Sequence, residues 1–322
     1  MKKFMIAAAA VALGAGAAMA EFPEKPITLI VAWNAGGGTD AIARVVAAGM
    51  EKELGVTVNV VNKPGGGGVI GHSEMLNAKS DGYTLGFASA EIASYYWAGN
   101  APFKADEFTP LGLVNFDASA FHISTDSPWT DAKAALEDIK AQPAGTYKLS
   151  GMGAGAAYHL AFAGFLKANG IDPLAVTHVP SQGAAPGFQE LAAGGVQIIP
   201  SSIPEGLSMM QAGKSKPIAV LSETRIAAFP DVPTAEEATG VAFAGGTWRG
   251  VVGPKDLDPA AAEKLAAAVS AVANSEEFKS FMDEKGFGTA AYDPAAFATF
   301  LSAQHTGVGE IMNDLGLAQR KE

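Results

Sequence analysis

The stretch LIVAWNAGGGTDAIARVV, residues 29–46, sets Gly36, Gly37 and Gly38 between a β-branched apolar run and residues at helical spacing. A turn that opens a helix in this way presents N–H groups with no partner inside the helix, and the positive end of the helix dipole. Glycine has no Cβ, so a ligand can approach the backbone itself. That chemistry suits an anion without calling on Arg or Lys. Each hydrogen bond to a charged group contributes about 1.5–3 kcal/mol, so two or three would anchor a carboxylate. Asp40 adds negative charge beside the turn; it either charges and caps the first helical turn or meets a cationic ligand group. Two further glycine loops, KPGGGGVIGHS (63–73) and GMGAGAAYH (151–159), also run into helical spacing.

Nucleotide chemistry is the first alternative for these loops. Gly36–Ala41 matches G-x-G-x-x-A formally, but no acidic residue closes the second strand, which runs out at Val61-Asn62, and a ribose needs that acid. Gly66–Ser73 has the spacing of a P-loop with His72 where the lysine belongs, so the phosphate-binding cation is missing. Gly65–Gly68 is better read as a tight turn into a helix. Catalysis finds no footing either. His72, His122, His159, His178 and His305 form no closely spaced ligand pair, and there is no G-x-S-x-G or S-x-x-K. His159 follows the third glycine loop and reads as a packed or helix-surface histidine, with a place in a cleft as the alternative. Among the aromatics, Trp33 at a strand end is placed to line a cleft; Tyr95, Tyr96, Trp97 and Trp248 read as core.

The elements that must hold these turns alternate between strand and helix. ITLIVAW (27–33), VTVNVV (56–61) and YTLGFA (83–88) read as strands with helices between them. The pattern restarts with YKLS (147–150), AVTHV (175–179), VQIIP (196–200) and PIAVL (217–221), with a helix near 184–193. Such alternation predicts parallel sheets covered by helices, here in two lobes of similar plan, each opened by a strand and a glycine turn. Asp258-Pro259 and Asp293-Pro294 predict helix starts, with Asp as N-cap and Pro in the first turn.

The chain has 322 residues, enough for a large core in one domain or two lobes. It opens with MKKFMIAAAAVALGAGAAMA: a basic start, an apolar run and Ala18-Met19-Ala20 as a cleavage signal. Residues 1–20 are therefore expected to be a cleaved secretory signal peptide, with mature Glu21 unlipidated because no cysteine follows. The absence of cysteine excludes disulfides and thiol catalysis. The net charge of −11 becomes −13 without Lys2 and Lys3, which argues against nucleic acid and anionic membranes as partners.

Several segments together resemble one family. FPEKPITLIVAWNAGGGTDAIAR, VVNKPGGGGVIGHSEMLNAKSDGYTLGFAS, GMGAGAAYHLAFAGF, LSETRIAAFPDVPTAEEATG and GGTWRGVVGPKDL are similar to the solute-binding proteins of tripartite tricarboxylate transporters, the Bug receptors. The likeness runs from Phe22 to the C-terminal helix. It implies an α/β, two-lobed, periplasmic-binding-protein-like fold, each lobe a sheet flanked by helices, with crossings near Ala118–Ile123 and Gly245–Gly250. Residues 21–119 with 248–322 would form one lobe and 120–247 the other. It further implies a periplasmic monomer that is not an enzyme and needs no cofactor or metal. Its partners would be a small organic carboxylate and a two-subunit inner-membrane permease; a sensory receptor of the same fold is the alternative role, and an exported α/β enzyme the more distant one.

By the same resemblance, the carboxylate is clamped by two turns. The first comprises Trp33, Asn34, Ala35, Gly36, Gly37, Gly38, Thr39 and Asp40; the second comprises Met152, Gly153, Ala154, Gly155 and Ala156 within Gly151–Tyr158. Many relatives carry Ser or Thr at the positions of Gly151, Met152 and Ala156. Without those hydroxyls the second turn must work through backbone, water, Ser150, Tyr158 or His159. The far end of the ligand would meet Ser89, Ala90, Glu91, Ser181 and Ser201–Ser202. A di- or tricarboxylate is the first expectation and an aromatic acid the second. Arg249 is expected to brace the crossing as a surface ion pair, with a distal ligand carboxylate as the alternative.

Overall fold

A computed structural model describes residues 22–181 and 183–320; the signal-peptide reading falls on residues outside these. Where the apolar runs are short and β-branched the chain forms strands, and they collect into two sheets. The first sheet takes β1 (Ile27–Val31), β2 (Val58–Asn62), β3 (Thr84–Ser89) and β4 (Thr109–Ala118) from the first part of the chain. The second holds β5 (Ala120–Ser124), β6 (Tyr147–Leu149), β7 (Val176–His178), β8 (Ile198–Ser201) and β9 (Ser215–Val220). The chain then returns to the first sheet with β10 (Gly246–Gly253) and β11 (Thr289–Tyr292). The orders are β11-β4-β10-β3-β1-β2 and β7-β6-β8-β5-β9.

Both sheets are mixed rather than parallel. β1 pairs parallel with β2 and β3, and β6 with β7 and β8. β10 lies antiparallel between β3 and β4, and β5 antiparallel between β8 and β9. The reversed strands are those next to the passages between sheets. A strand arriving from the other lobe need not obey the crossover geometry that makes βαβ units parallel.

Helices α1 (Gly38–Leu54), α2 (Val69–Leu76), α8 (Pro259–Asn274), α9 (Glu276–Lys285) and α10 (Pro294–Asp314) cover the first sheet; the order between is α3 (Ala132–Ala141), α4 (Ala157–Ala168), α5 (Ala184–Ala192), α6 (Ile203–Gln211) and α7 (Ala235–Thr239) around the second. Ile42, Val46 and Met50 of α1 and Leu265, Val269 and Val272 of α8 pack on Leu29, Val31 and Phe87. Trp248, Phe297 and Leu301 fill the opposite face with Ile30 and Ala88. Phe121, Phe162, Phe165 and Ile198 form the core of the second lobe. Asp258 and Asp293 accept from Ala261 N–H (3.0 Å) and Ala296 N–H (2.8 Å), the N-caps their sequence predicts.

The lobes join where β4 runs into β5 through Ser119. Ser119 N–H donates to Gly245 O (2.8 Å), Leu221 N–H to Ser119 O (2.7 Å) and Gly245 N–H to Leu221 O (3.0 Å). Three segments are thereby laced together at the passage, narrower than the predicted crossings because β5 and β10 each belong wholly to a sheet. The lobes also touch on both flanks. Trp97, Met312 and Leu315 pack with Leu160 and Ala163 of α4 on one side, and Phe229 lies against Gly286 on the other.

Candidate ligand-binding site

β1 stops at Val31, and Trp33 and the four exposed residues Asn34–Gly37 form a turn before α1. Gly36 has φ +87°, a conformation that favours glycine. Gly37 is the N-cap and no side chain caps the helix, so the first-turn N–H groups face the exposed turn without an internal partner. Asp40 does not face outward. Its carboxylate accepts from Gly36 N–H (2.9 Å), from Arg44 at Nε (3.0 Å) and Nη2 (2.9 Å), and from Asn62 Nδ2 (2.9 Å). Burial opposes its charge, but Arg44, Gly36 and Asn62 outweigh it and hold the carboxyl below its usual value. Asp40 therefore shapes the turn from behind, and its acceptors are taken.

The structure brings Ser89, Ala90 and Glu91 to the same place. Trp33 Nε1 donates to Ser89 Oγ (3.0 Å), which donates to Glu91 Oε2 (2.6 Å). Behind the Trp33 ring stands the second glycine loop: a Cβ on Gly68 would lie 3.2 Å from the indole and closer still to Tyr95 Oη. Tyr95 Oη donates to Gly67 O (2.8 Å), and the wholly buried His72 sits between Gly68 O and Tyr95 Oη, 3.0 Å from each. Gly65–Gly68 all have positive φ. This loop is thus a buttress for Trp33, a link that its reading as a simple turn did not contain.

The second lobe supplies the other turn. Met152 and Ala156 are buried, Gly153 is partly exposed and Ala154 exposed. Gly155 (φ +73°) donates its N–H to His159 Nδ1 at 3.0 Å. Burial, with His178 stacked at 4.3 Å, pushes His159 down to about 4, so its ring is neutral at pH 7 and accepts this bond. Ala156 is the N-cap of α4, again without a side-chain cap. Ser181 donates its N–H to Met152 O (3.0 Å) and its hydroxyl to Gly183 O (2.9 Å). Ser181 therefore fixes the loop beside the turn, and its hydroxyl points to its own loop.

Between the turns lies a buried ionic centre. Arg249 on β10 is 2% exposed, not the surface residue its sequence suggested. Its Nε donates to Thr39 Oγ1 (2.8 Å), Nη1 to Asn115 Oδ1 (2.7 Å) and Asp117 Oδ2 (2.5 Å), and Nη2 to Glu205 Oε1 (2.9 Å). Asp117 Oδ1 also accepts from Gly288 N–H (2.7 Å) and Asn115 Nδ2 (2.9 Å). Glu205, on α6 of the second lobe, takes Ser201 Oγ on its other oxygen (2.5 Å). Arg249 does brace the crossing, by joining the lobes through Glu205. Burial pushes Glu205 above its ordinary value, with Arg249 pulling the other way. Burial works against the Arg249 charge too, but Asp117, Tyr158 and Glu205 together raise its pKa. Beside this centre, Tyr158 Oη and Ser202 Oγ are buried next to each other, with no other group paired to either.

Residues 42–317 match the family described as Tripartite tricarboxylate transporter family receptor (TctC). The chain belongs to this family. Protein BugT of Bordetella pertussis is 32% identical over 244 residues, covering 74% of this chain and 73% of BugT. The solved periplasmic binding protein BugD is 28% identical with a TM-score of 0.80, over 93% of this chain and 100% of BugD. MatC from Rhodopseudomonas palustris, solved with bound malate, is 25% identical with a TM-score of 0.78, over 90% of this chain and 99% of MatC. This TctC receptor is accordingly a solute-binding protein with the two-lobed fold, and its solved relatives are periplasmic binding proteins.

Asn115, Asp117 and Glu205 of the receptor's ionic centre were not singled out by sequence as ligand-site residues. One signal was present for Glu205: Ser202-Ile203-Pro204-Glu205 has capping-box spacing, yet the Glu turns away from the N-cap to Ser201 and Arg249. Among the described residues no three His, Asp or Glu converge as a metal cluster. No described helix is long and apolar enough to cross a membrane.

Proposed function

We propose that this TctC receptor captures a small organic carboxylate between its lobes and delivers it unchanged to a two-subunit inner-membrane permease. The observation that carries the reading is a pair of glycine turns, Trp33–Asp40 and Met152–Ala156, each entering a helix whose N-terminus has no side-chain cap. One turn comes from each lobe, taken as 21–119 with 248–322 and as 120–247. A carboxylate with one oxygen on each turn would favour the closed arrangement, because only closure lets both turns bind at once. Bridging waters can complete the contacts at small cost. On this reading Ser89, Ala90, Glu91 and Ser202 would meet the rest of the ligand. The malate in MatC supports an organic acid as the ligand class.

The test is a thermal-shift panel on residues 21–322, freed of co-purified ligand by unfolding and refolding. It spans di- and tricarboxylates, ω-amino and ω-hydroxy acids, and aromatic acids. Ligand at 100 times Kd should stabilise the folded state by about 2.7 kcal/mol. A shift confined to organic acids is expected; a flat panel would remove the carboxylate reading. Gly37→Val is the companion variant. Gly37 has φ −82°, and a Cβ there meets nothing closer than Asn34 O at 3.7 Å, so the fold should tolerate it. The new side chain would stand where the ligand must approach the N–H groups. Unaltered affinity in this variant would take the first turn out of the site.

A further inference from the structure

We propose that Glu205 makes the receptor selective for the far end of its ligand, admitting acids whose second polar group is a hydrogen-bond donor or a cation and turning away a second carboxylate. The inference rests on the carboxylate-receptor reading and names the ligand class within it.

The nearest buried cation cannot serve a second carboxylate, because the protein's own carboxylates already hold it. Arg249 engages Thr39 and Asn115 and is flanked by two acids, Asp117 and Glu205. One guanidinium against two carboxylates leaves the centre with net negative charge. Glu91 adds to it from the first lobe, since its charge reaches both Glu205 and Tyr95. Arg44 brings no relief: it is half-exposed and tied to Asp40. Glu205 is also close to the clamp itself, its Oε1 lying 3.0 Å from where a Cβ on Gly38 would stand. An acid bound at Gly36–Thr39 therefore has this carboxylate as a neighbour. A second negative charge in such a low-dielectric place is repelled far more than in water.

Two hydroxyls supply an independent observation. Tyr158 Oη and Ser202 Oγ belong to residues only 8% and 1% exposed; the two hydroxyls adjoin each other, and no third group pairs with either. A hydroxyl has one donor and two acceptor sites, and buried polar groups are nearly always satisfied, so the pair keeps bonding capacity for a ligand. Both adjoin the ionic centre: Ser202 is the N-cap residue of α6, its hydroxyl making no cap bond, three residues before Glu205, and the Tyr158 hydroxyl feels Glu205, Arg249 and Asp117 beside Ser202. A hydroxyl pair beside a carboxylate is a fitting cradle for an ammonium, a hydroxyl or an amide. A ligand carboxylate could take the two donors but would face Glu205.

Isothermal titration of three series of four to six carbons tests the proposal: α,ω-diacids, ω-amino acids and ω-hydroxy acids of equal length. The wild-type receptor should bind the amino or hydroxy acid at least tenfold more tightly than the diacid of the same length. Glu205→Gln should shrink that ratio at least tenfold, chiefly by improving the diacid. A role for Glu205 in lobe closure alone would move all series together and leave the ratio unchanged, which would overturn the proposal. Wild-type preference for the diacid would also overturn it, even if the variant does not fold, while leaving the carboxylate receptor intact. Binding of no series at all would sink both.

Discussion

Asp40 carries its charge inward, and this divides two roles that its place in the sequence left open. Its carboxylate accepts from Gly36, Arg44 and Asn62, while Asn62 also donates to Trp33 O at 3.0 Å. Asp40 thus fixes both ends of the turn that would hold a ligand. Asp40→Ala should lower stability by about 2 kcal/mol, the scale of hydrogen bonds to a buried charge, as read from the urea midpoint. Arg44→Ala should cost much less, because the Arg44 side chain is 51% exposed and exposed pairs contribute little. An Asp40→Ala variant with unchanged stability and altered ligand selectivity would instead put the carboxylate in contact with ligand. The depressed Asp40 pKa carries the same sign: its contribution is complete above the unfolded value and lost as pH falls through the folded one.

At the level of elements, the passage between lobes depends on a glycine that no local pattern marks. A Cβ on Gly246 would stand 2.0 Å from Asp117 O and 2.9 Å from the Ala118 Cα. Both are backbone atoms, so β10 would have to part from β4, and Asp117 would shift with it. Gly246→Ala should therefore destabilise the receptor by at least about 3 kcal/mol, in the upper range of core overpacking. A melting temperature within a degree or two of wild type would show that the two strands can separate there. The same strands explain what could be read in advance. β1 and β3, and the helices started by Asp258-Pro259 and Asp293-Pro294, announce themselves through apolar runs and capping residues. β4 and β10 do not: Asn115, Asp117, Arg249 and several glycines interrupt their apolar pattern, and their strand state comes from neighbours on both sides. The two glycine turns were legible because glycines running into a helix start without a side-chain cap are a local feature of the sequence. The ionic centre was not, because Arg249 finds Asp117 and Glu205 across 132 and 44 residues. No window of sequence contains that charge balance.

Across the whole molecule, buried histidines should govern stability in mild acid. His72 in the first lobe and His122 in the second are fully buried, and burial pushes them down to about 4 and about 3. His159 falls to about 4 and His178 is lowered as well, both chiefly by burial. In the unfolded chain each returns to about 6.5, so between these values the unfolded state binds more protons. Stability must then be fully present above about pH 6.5 and fall as the medium is acidified toward pH 4. The slope approaches about 1.4 kcal/mol per pH unit for each histidine that stays neutral when folded. Glu205, raised by burial, acts in the opposite direction, but it is one group against four. Urea unfolding at pH 7.5, 6.5, 5.5 and 4.5 should show midpoints that are level at first and then drop steeply. A flat profile would mean that the histidines gain protons without unfolding, and that water reaches them in the native state. His122→Phe gives the finer reading, since the ring packs edge-on against Phe188 at 5.0 Å and a phenyl group preserves that contact. It should remove about one proton's worth of slope and leave the alkaline plateau near wild type. That outcome would assign part of the acid sensitivity to the second lobe, the lobe that carries the Gly151–Ala156 turn and Glu205.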